Sequence, residues 1–126
     1  MTLFRTTLLA VILLSLGFGA PTRAAEEGKP YDAQLLRLAE LLGAVHYLRE
    51  LCGANEGQLW REKMDALVEA EGTTAIRQAR LVQSFNKGYR SYRRTYQTCT
   101  KSAEIAVARF LAEGAEIAEQ VSASGS

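Results

Sequence analysis

The chain has one histidine and two cysteines in 126 residues, and these shortages exclude more chemistry than the rest of the composition invites. A single imidazole, His46, cannot build a multi-histidine metal centre. Cys52 and Cys99 stand far apart, so there is no CxxC redox motif and no CxxCH haem attachment. GxSxG, HExxH and phosphate-cradling glycine loops are all missing. Carboxylates are plentiful, but Glu40, Glu50 and their like repeat at the spacing of solvated helix faces. The chain therefore reads as non-enzymatic, with no metal and no cofactor. A haem held between His46 and Met64 inside a bundle is the one pigment alternative, and nothing in their spacing is specific for it.

Long apolar runs are scarce as well. The one of note, Leu8 to Ala20, is shorter than the about 20 residues that span a bilayer. Preceded by Arg5 and followed by Thr22-Arg23-Ala24, it reads as a secretory signal peptide over residues 1–24, cleaved after Ala24, with an uncleaved membrane anchor as the alternative. The expected compartment is the periplasm, with no stable membrane span after cleavage and no nucleic acid as partner. Two of the 15 basic residues, Arg5 and Arg23, leave with that segment, so 13 face 14 acidic ones and global charge selects no partner. Residues 25–121 form a single helical domain on this reading, and residues 122–126 a disordered tail.

Acid is also missing from Gly72 through Ala103, which holds seven Lys or Arg and no Asp or Glu. The centre of that stretch is SFNKGYRSYRRTYQTCT, residues 84–100. On a helix, Val82, Phe85, Tyr89, Tyr92, Tyr96 and Cys99 recur at spacings of three and four and form one buried seam. Arg80, Lys87, Arg90, Arg94 and Lys101 form a second stripe, with Arg93 beside it. Two readings stand for each. The tyrosines pack with their hydroxyls at the bundle edge, or they alternate with Arg to grip an anionic or planar ligand. The basic stripe is a solvated face, or it docks an envelope protein, peptidoglycan or anionic lipid.

Periodicity divides the domain into four helices. The first starts at an Asp32 cap and runs to about Cys52, with Leu35, Leu38, Leu42, Val45 and Leu48 on one arc, and Gly53 suits its C-terminal cap. His46 and Arg49 lie on or beside that arc, either as structural residues or as a small-ligand site. A second helix runs from about Asn55 or Glu56 to Glu71, with Trp60 as its largest burial candidate. Thr74 opens a third, which ends near Thr98 because an unbroken helix onward to Val121 would be about 70 Å long. Thr100 caps a fourth, from Lys101 to Val121. The expected fold is an all-α, up-down-up-down four-helix bundle, or three long helices with a broken last one. In an oxidising compartment Cys52 and Cys99 staple it as a disulfide.

LRLAELLGAVHYLRELCGANEGQLWREKM, then RQARLVQSFNKGYRSYRRTYQTCTKSA and RFLAEG, resembles a family of small exported alphaproteobacterial proteins known only as a domain of unknown function. The resemblance implies a disulfide between two well-separated cysteines, here Cys52 and Cys99. It implies no activity and carries over no catalytic residue. The functional expectation is a non-catalytic envelope adaptor using Tyr89, Tyr92, Tyr96, Arg90, Arg93 and Arg94. The alternative is a small-ligand carrier with a pocket near His46 and Arg49.

Overall fold

A computed structural model describes residue 19 and residues 28–125. Apart from Gly19, the segment read as a signal peptide lies outside the described residues. Among those described, the chain is all-helical: α1 Asp32–Leu51, α2 Leu59–Glu71, α3 Ala75–Thr95 and α4 Lys101–Ser124. No described helix is long and apolar enough to cross a membrane.

The helix ends follow local chemistry. Thr74 and Thr100 each accept a hydrogen bond from the backbone N–H three residues on, at Arg77 and Ala103, both at 3.1 Å. Asp32 does not cap α1 as expected. It is the first helical residue, and its carboxylate accepts the backbone N–H of Lys29 and the guanidinium of Arg77. Gly53 turns the chain after α1 at φ 84°. A second left-handed turn at Gly57, φ 56°, delays α2 to Leu59, so Gln58 rather than Asn55 precedes it. α3 ends three residues earlier than expected, and α4 continues through residues 122–124, which are helical rather than a disordered tail.

α1 is apolar on nearly every side because every other helix packs on it. Leu35, Ala39, Leu41, Ala44, Val45 and Leu48 are all buried. One core cluster joins Leu35 and Ala39 to Met64, Leu81 and Phe85; another joins Val45 and Leu48 to Ala103 and Val107. Burying a side chain such as Leu48 stabilises the fold by about 1.5–3 kcal/mol.

Against α3, the approach is closer than side chains permit. A Cβ added to Gly43 would lie 1.9 Å from the Phe85 carbonyl oxygen, and one added to Gly88 would lie 1.9 Å from that of Glu40. Two glycines thus let the α1 and α3 backbones touch.

Cross-links hold both ends of this pair. Near the helix starts, Arg77 reaches both Asp32 oxygens at 2.8 Å and donates to the Glu71 carbonyl at 3.0 Å, gathering α1, α2 and α3. Just past the other ends, Cys52 and Cys99 form a disulfide with a Cα separation of 5.0 Å. α4 is tied differently: Arg37 makes a two-pronged ion pair with Glu113 at 2.7 and 3.0 Å.

Three burial expectations need correction, the first being Cys99, which lies beyond the end of α3 and is exposed. Val82 is 40% exposed, on the lining of a concavity that it shares with Arg61, Asp65 and Val68 of α2. Trp60 is only half-buried, since it borders two concavities.

Candidate functional site

Four of the five tyrosines gather towards the disulfide end. Tyr47 meets Tyr89 edge-on at 5.5 Å, Tyr92 meets Phe110 edge-on at 4.9 Å, and Tyr96 stacks on Tyr92 at 6.5 Å. The Tyr47 hydroxyl donates to the carbonyl oxygen of Tyr96. All are half-buried, with aromatic faces spent on one another. Burial raises the Tyr92 hydroxyl above its ordinary value, so it stays protonated. This arrangement is core packing with polar tips, not an open row of ligand-gripping rings.

The basic residues separate into paired and unpaired sets. Arg37, Arg49 and Arg77 are held by Glu113, Glu56 and Asp32 respectively. Arg93 lies over the Tyr89 ring at 5.9 Å. Arg90 and Arg94 share the outer side of α3 with Lys87, where they line a concavity of about 350 Å³ with Gln83 and Asn86. Lys87 comes no nearer than 4.0 Å to Glu40. Arg90 and Arg94 are exposed, and no carboxylate reaches them among the described residues. The structure thus brings Arg90 and Arg94 together and draws Arg93 aside.

His46 and Arg49 do not share a pocket. His46 is 7% exposed and lies beside the rings of Phe85 at 6.1 Å and Tyr89 at 5.7 Å. Burial first, and the nearby Arg61 second, lower its pKa below the ordinary histidine value. Arg49 instead pairs with Glu56, which also accepts the Trp60 indole N–H, beside a separate cavity of about 170 Å³. Those donors hold the Glu56 carboxyl below the usual carboxylate range. Among the described residues, no group of three or more His, Cys, Asp or Glu gathers as a metal site.

A larger concavity was not expected from the sequence. α2 and α4 both lie on α1 and leave between them an apolar trough of about 570 Å³. Leu38, Leu41, Leu42 and Val45 of α1 make its floor. Trp60, Ala66 and Leu67 line the α2 wall, and Phe110, Leu111, Gly114, Ala115 and Ala118 the α4 wall, with Lys63 as the one charged lining residue. The available signal was the row of small residues, Gly114, Ala115 and Ala118, on the side of α4 that should have been filled by large ones.

Comparison with known proteins adds class but no chemistry. Residues 30–124 match the family described as "protein of unknown function (DUF2385)", and the chain belongs to that family. No curated protein and no solved structure matches it.

Proposed function

We propose that the chain is a non-catalytic accessory protein of the cell envelope that docks an anionic partner through the outer face of α3. On this reading residues 1–24 direct export and are removed after Ala24, and the disulfide forms in the periplasm. The helices follow an up-down-up-down course, a reading supported by Asp32 meeting Arg77, Cys52 meeting Cys99 and Arg37 meeting Glu113.

One observation carries the docking reading. Arg90 and Arg94 stay exposed without a carboxylate partner, on a helix that itself supplies no acid. Unpaired guanidinium groups on a rigid helix suit planar, bidentate recognition of carboxylate or phosphate. The partner is an envelope protein, peptidoglycan or anionic lipid.

The test is replacement of both Arg90 and Arg94 by Ser, with partner recovery measured from envelope extracts over a range of salt. Recovery should fall several-fold and the residual binding should lose its salt dependence, while the melting temperature stays unchanged. Arg93→Ser, which removes a group already over Tyr89, should have a smaller effect. Unchanged recovery by the double variant would remove the docking reading.

A further inference from the structure

The trough between α2 and α4 lies apart from the α3 face and calls for a different occupant. Its volume of about 570 Å³ falls within the about 300–1,000 Å³ of pockets that enclose small molecules. Leu38 and Val45 are seven residues apart on the floor, so at about 1.5 Å per residue the trough runs for about 10 Å along α1. Small residues keep it open. Ala66 on one wall and Gly114, Ala115 and Ala118 on the other stand where Leu or Phe would close the gap. An extended apolar chain lying along α1 fits such a trough.

Charge selects among such chains. Lys63 is exposed, its ammonium lies 5.8 Å from the centroid of the Trp60 ring, and it forms no ion pair among the described residues. By contrast, the arginine near the α4 wall is already satisfied: Arg37 is held by Glu113 and lies over Phe110 at 5.9 Å. The trough therefore combines an apolar interior with one free cation at its edge.

We propose that this trough binds a single-chain anionic amphiphile of the fatty-acid type, its alkyl chain along the α1 floor and its carboxylate at Lys63. Chain burial supplies most of the affinity, and Lys63 supplies orientation and the preference for an anionic head.

Trp60 is the only tryptophan and lines the trough, so it is a built-in reporter. The experiment titrates dodecanoate, below its micellar concentration, into the protein as the cell processes it. Trp60 emission and non-denaturing mass spectrometry are followed together. A saturable blue shift with a one-to-one adduct is expected. Lys63→Gln should weaken dodecanoate about two- to fivefold, as for an exposed ion pair, and leave the neutral dodecanol unaffected. Ala118→Leu together with Ala115→Leu should abolish both while the α3 face still recovers its partner. The proposal is overturned if neither amphiphile shifts Trp60 or forms an adduct. Equal binding of both ligands with no response to Lys63→Gln overturns the anionic assignment. A dimer with Trp60 already shielded would give the trough to a second copy, and so would also overturn it.

Discussion

The two sides of α1 solve opposite packing problems. Towards α3, Gly43 and Gly88 present no side chain at the closest approach, and the backbones meet there. Towards α2 and α4, small residues do not draw the helices together, and an apolar trough stays between them. Small residues close one interface and open the other. The difference lies in what the helices already touch: α3 is anchored by Arg77 at one end and the disulfide at the other, whereas α2 and α4 are spread by Leu38, Leu41, Leu42 and Val45 beneath them. A rigid, stapled half thus supports a half with room in it.

Breaking the closed side should have the largest effect. Helix propensity alone predicts that Gly88→Ala stabilises by about 0.5–1 kcal/mol. The new methyl would instead meet the Glu40 carbonyl oxygen at 1.9 Å, against backbone that has no rotamer to move. Overpacking ordinarily costs about 1–3 kcal/mol, and this case belongs above that range. Gly88→Ala, and likewise Gly43→Ala, should lose most of the cooperative urea transition. A normal midpoint would show that the two backbones do not meet as described.

Next comes the staple on the same side. Cys52 and Cys99 enclose a separation of 47 residues, and the chain-entropy relation assigns such a loop about 4 kcal/mol. Cys52→Ser with Cys99→Ser should therefore lower the stability by about 2–4 kcal/mol in urea unfolding, with the helical circular dichroism of the folded state retained. An unaltered midpoint would leave Gly43, Gly88 and Arg77 as sufficient anchors of the closed side.

Much of this closed side was legible in the sequence, and little of the open side was. Threonine caps at Thr74 and Thr100 and the turn at Gly53 are local signals, and each stands where local chemistry puts it, whereas the break before Cys99 followed only from the length of an unbroken helix and falls three residues early. Pairing Cys52 with Cys99 needed their scarcity and the expectation of an oxidising compartment. Val82 and Trp60 misled because periodicity reports a face without reporting whether a neighbour covers it. Gly57 hid the start of α2, since a single left-handed turn leaves no periodic trace. Gly43 and Gly88 read alone as helix-weakening residues, and only the pairing of two distant segments turns them into a contact. The trough lies between α2 and α4, and its one trace in the sequence, the small residues Gly114, Ala115 and Ala118, becomes a volume only once α2 and α4 are both placed on α1.

Acid should probe the closed side more gently. His46 is buried against Phe85 and Tyr89 of α3 with Arg61 of α2 nearby, and its folded pKa is depressed, with Glu50 only partly opposing the shift. The unfolded chain then binds the proton before the folded one does. His46 therefore contributes full stability above the ordinary histidine pKa of about 6.5, and that contribution is lost as pH falls from there through the folded value, by at most about 1.4 kcal/mol per pH unit. Glu56 and Glu113, whose pKa values are also lowered by their arginine partners, matter only in the lower carboxylate window. Between about pH 6.5 and 5, His46→Phe should flatten the stability profile. An equally sloped variant would move the effect to another group.

The smallest expected effect is also the sharpest comparison, because it repeats the Gly→Ala change on the open side. Gly114 lies mid-way along α4 on the wall of the trough, and an added Cβ would meet only the side-chain tips of Leu38 and Leu41, at 3.8 and 3.9 Å. Those are ordinary van der Waals distances, so no backbone has to shift. The backbone-entropy gain of about 0.5–1 kcal/mol should then appear undiminished, with a small further gain from the new contacts. Gly114→Ala should raise the urea midpoint while Gly88→Ala destroys the transition, although both place one methyl on a helical glycine facing α1. If Gly114→Ala destabilised instead, α4 would have to lie closer to α1 than it does, and the trough would be correspondingly narrower. A raised midpoint together with weakened dodecanoate binding would mean that the same methyl that steadies α4 also intrudes on the space its glycine keeps open.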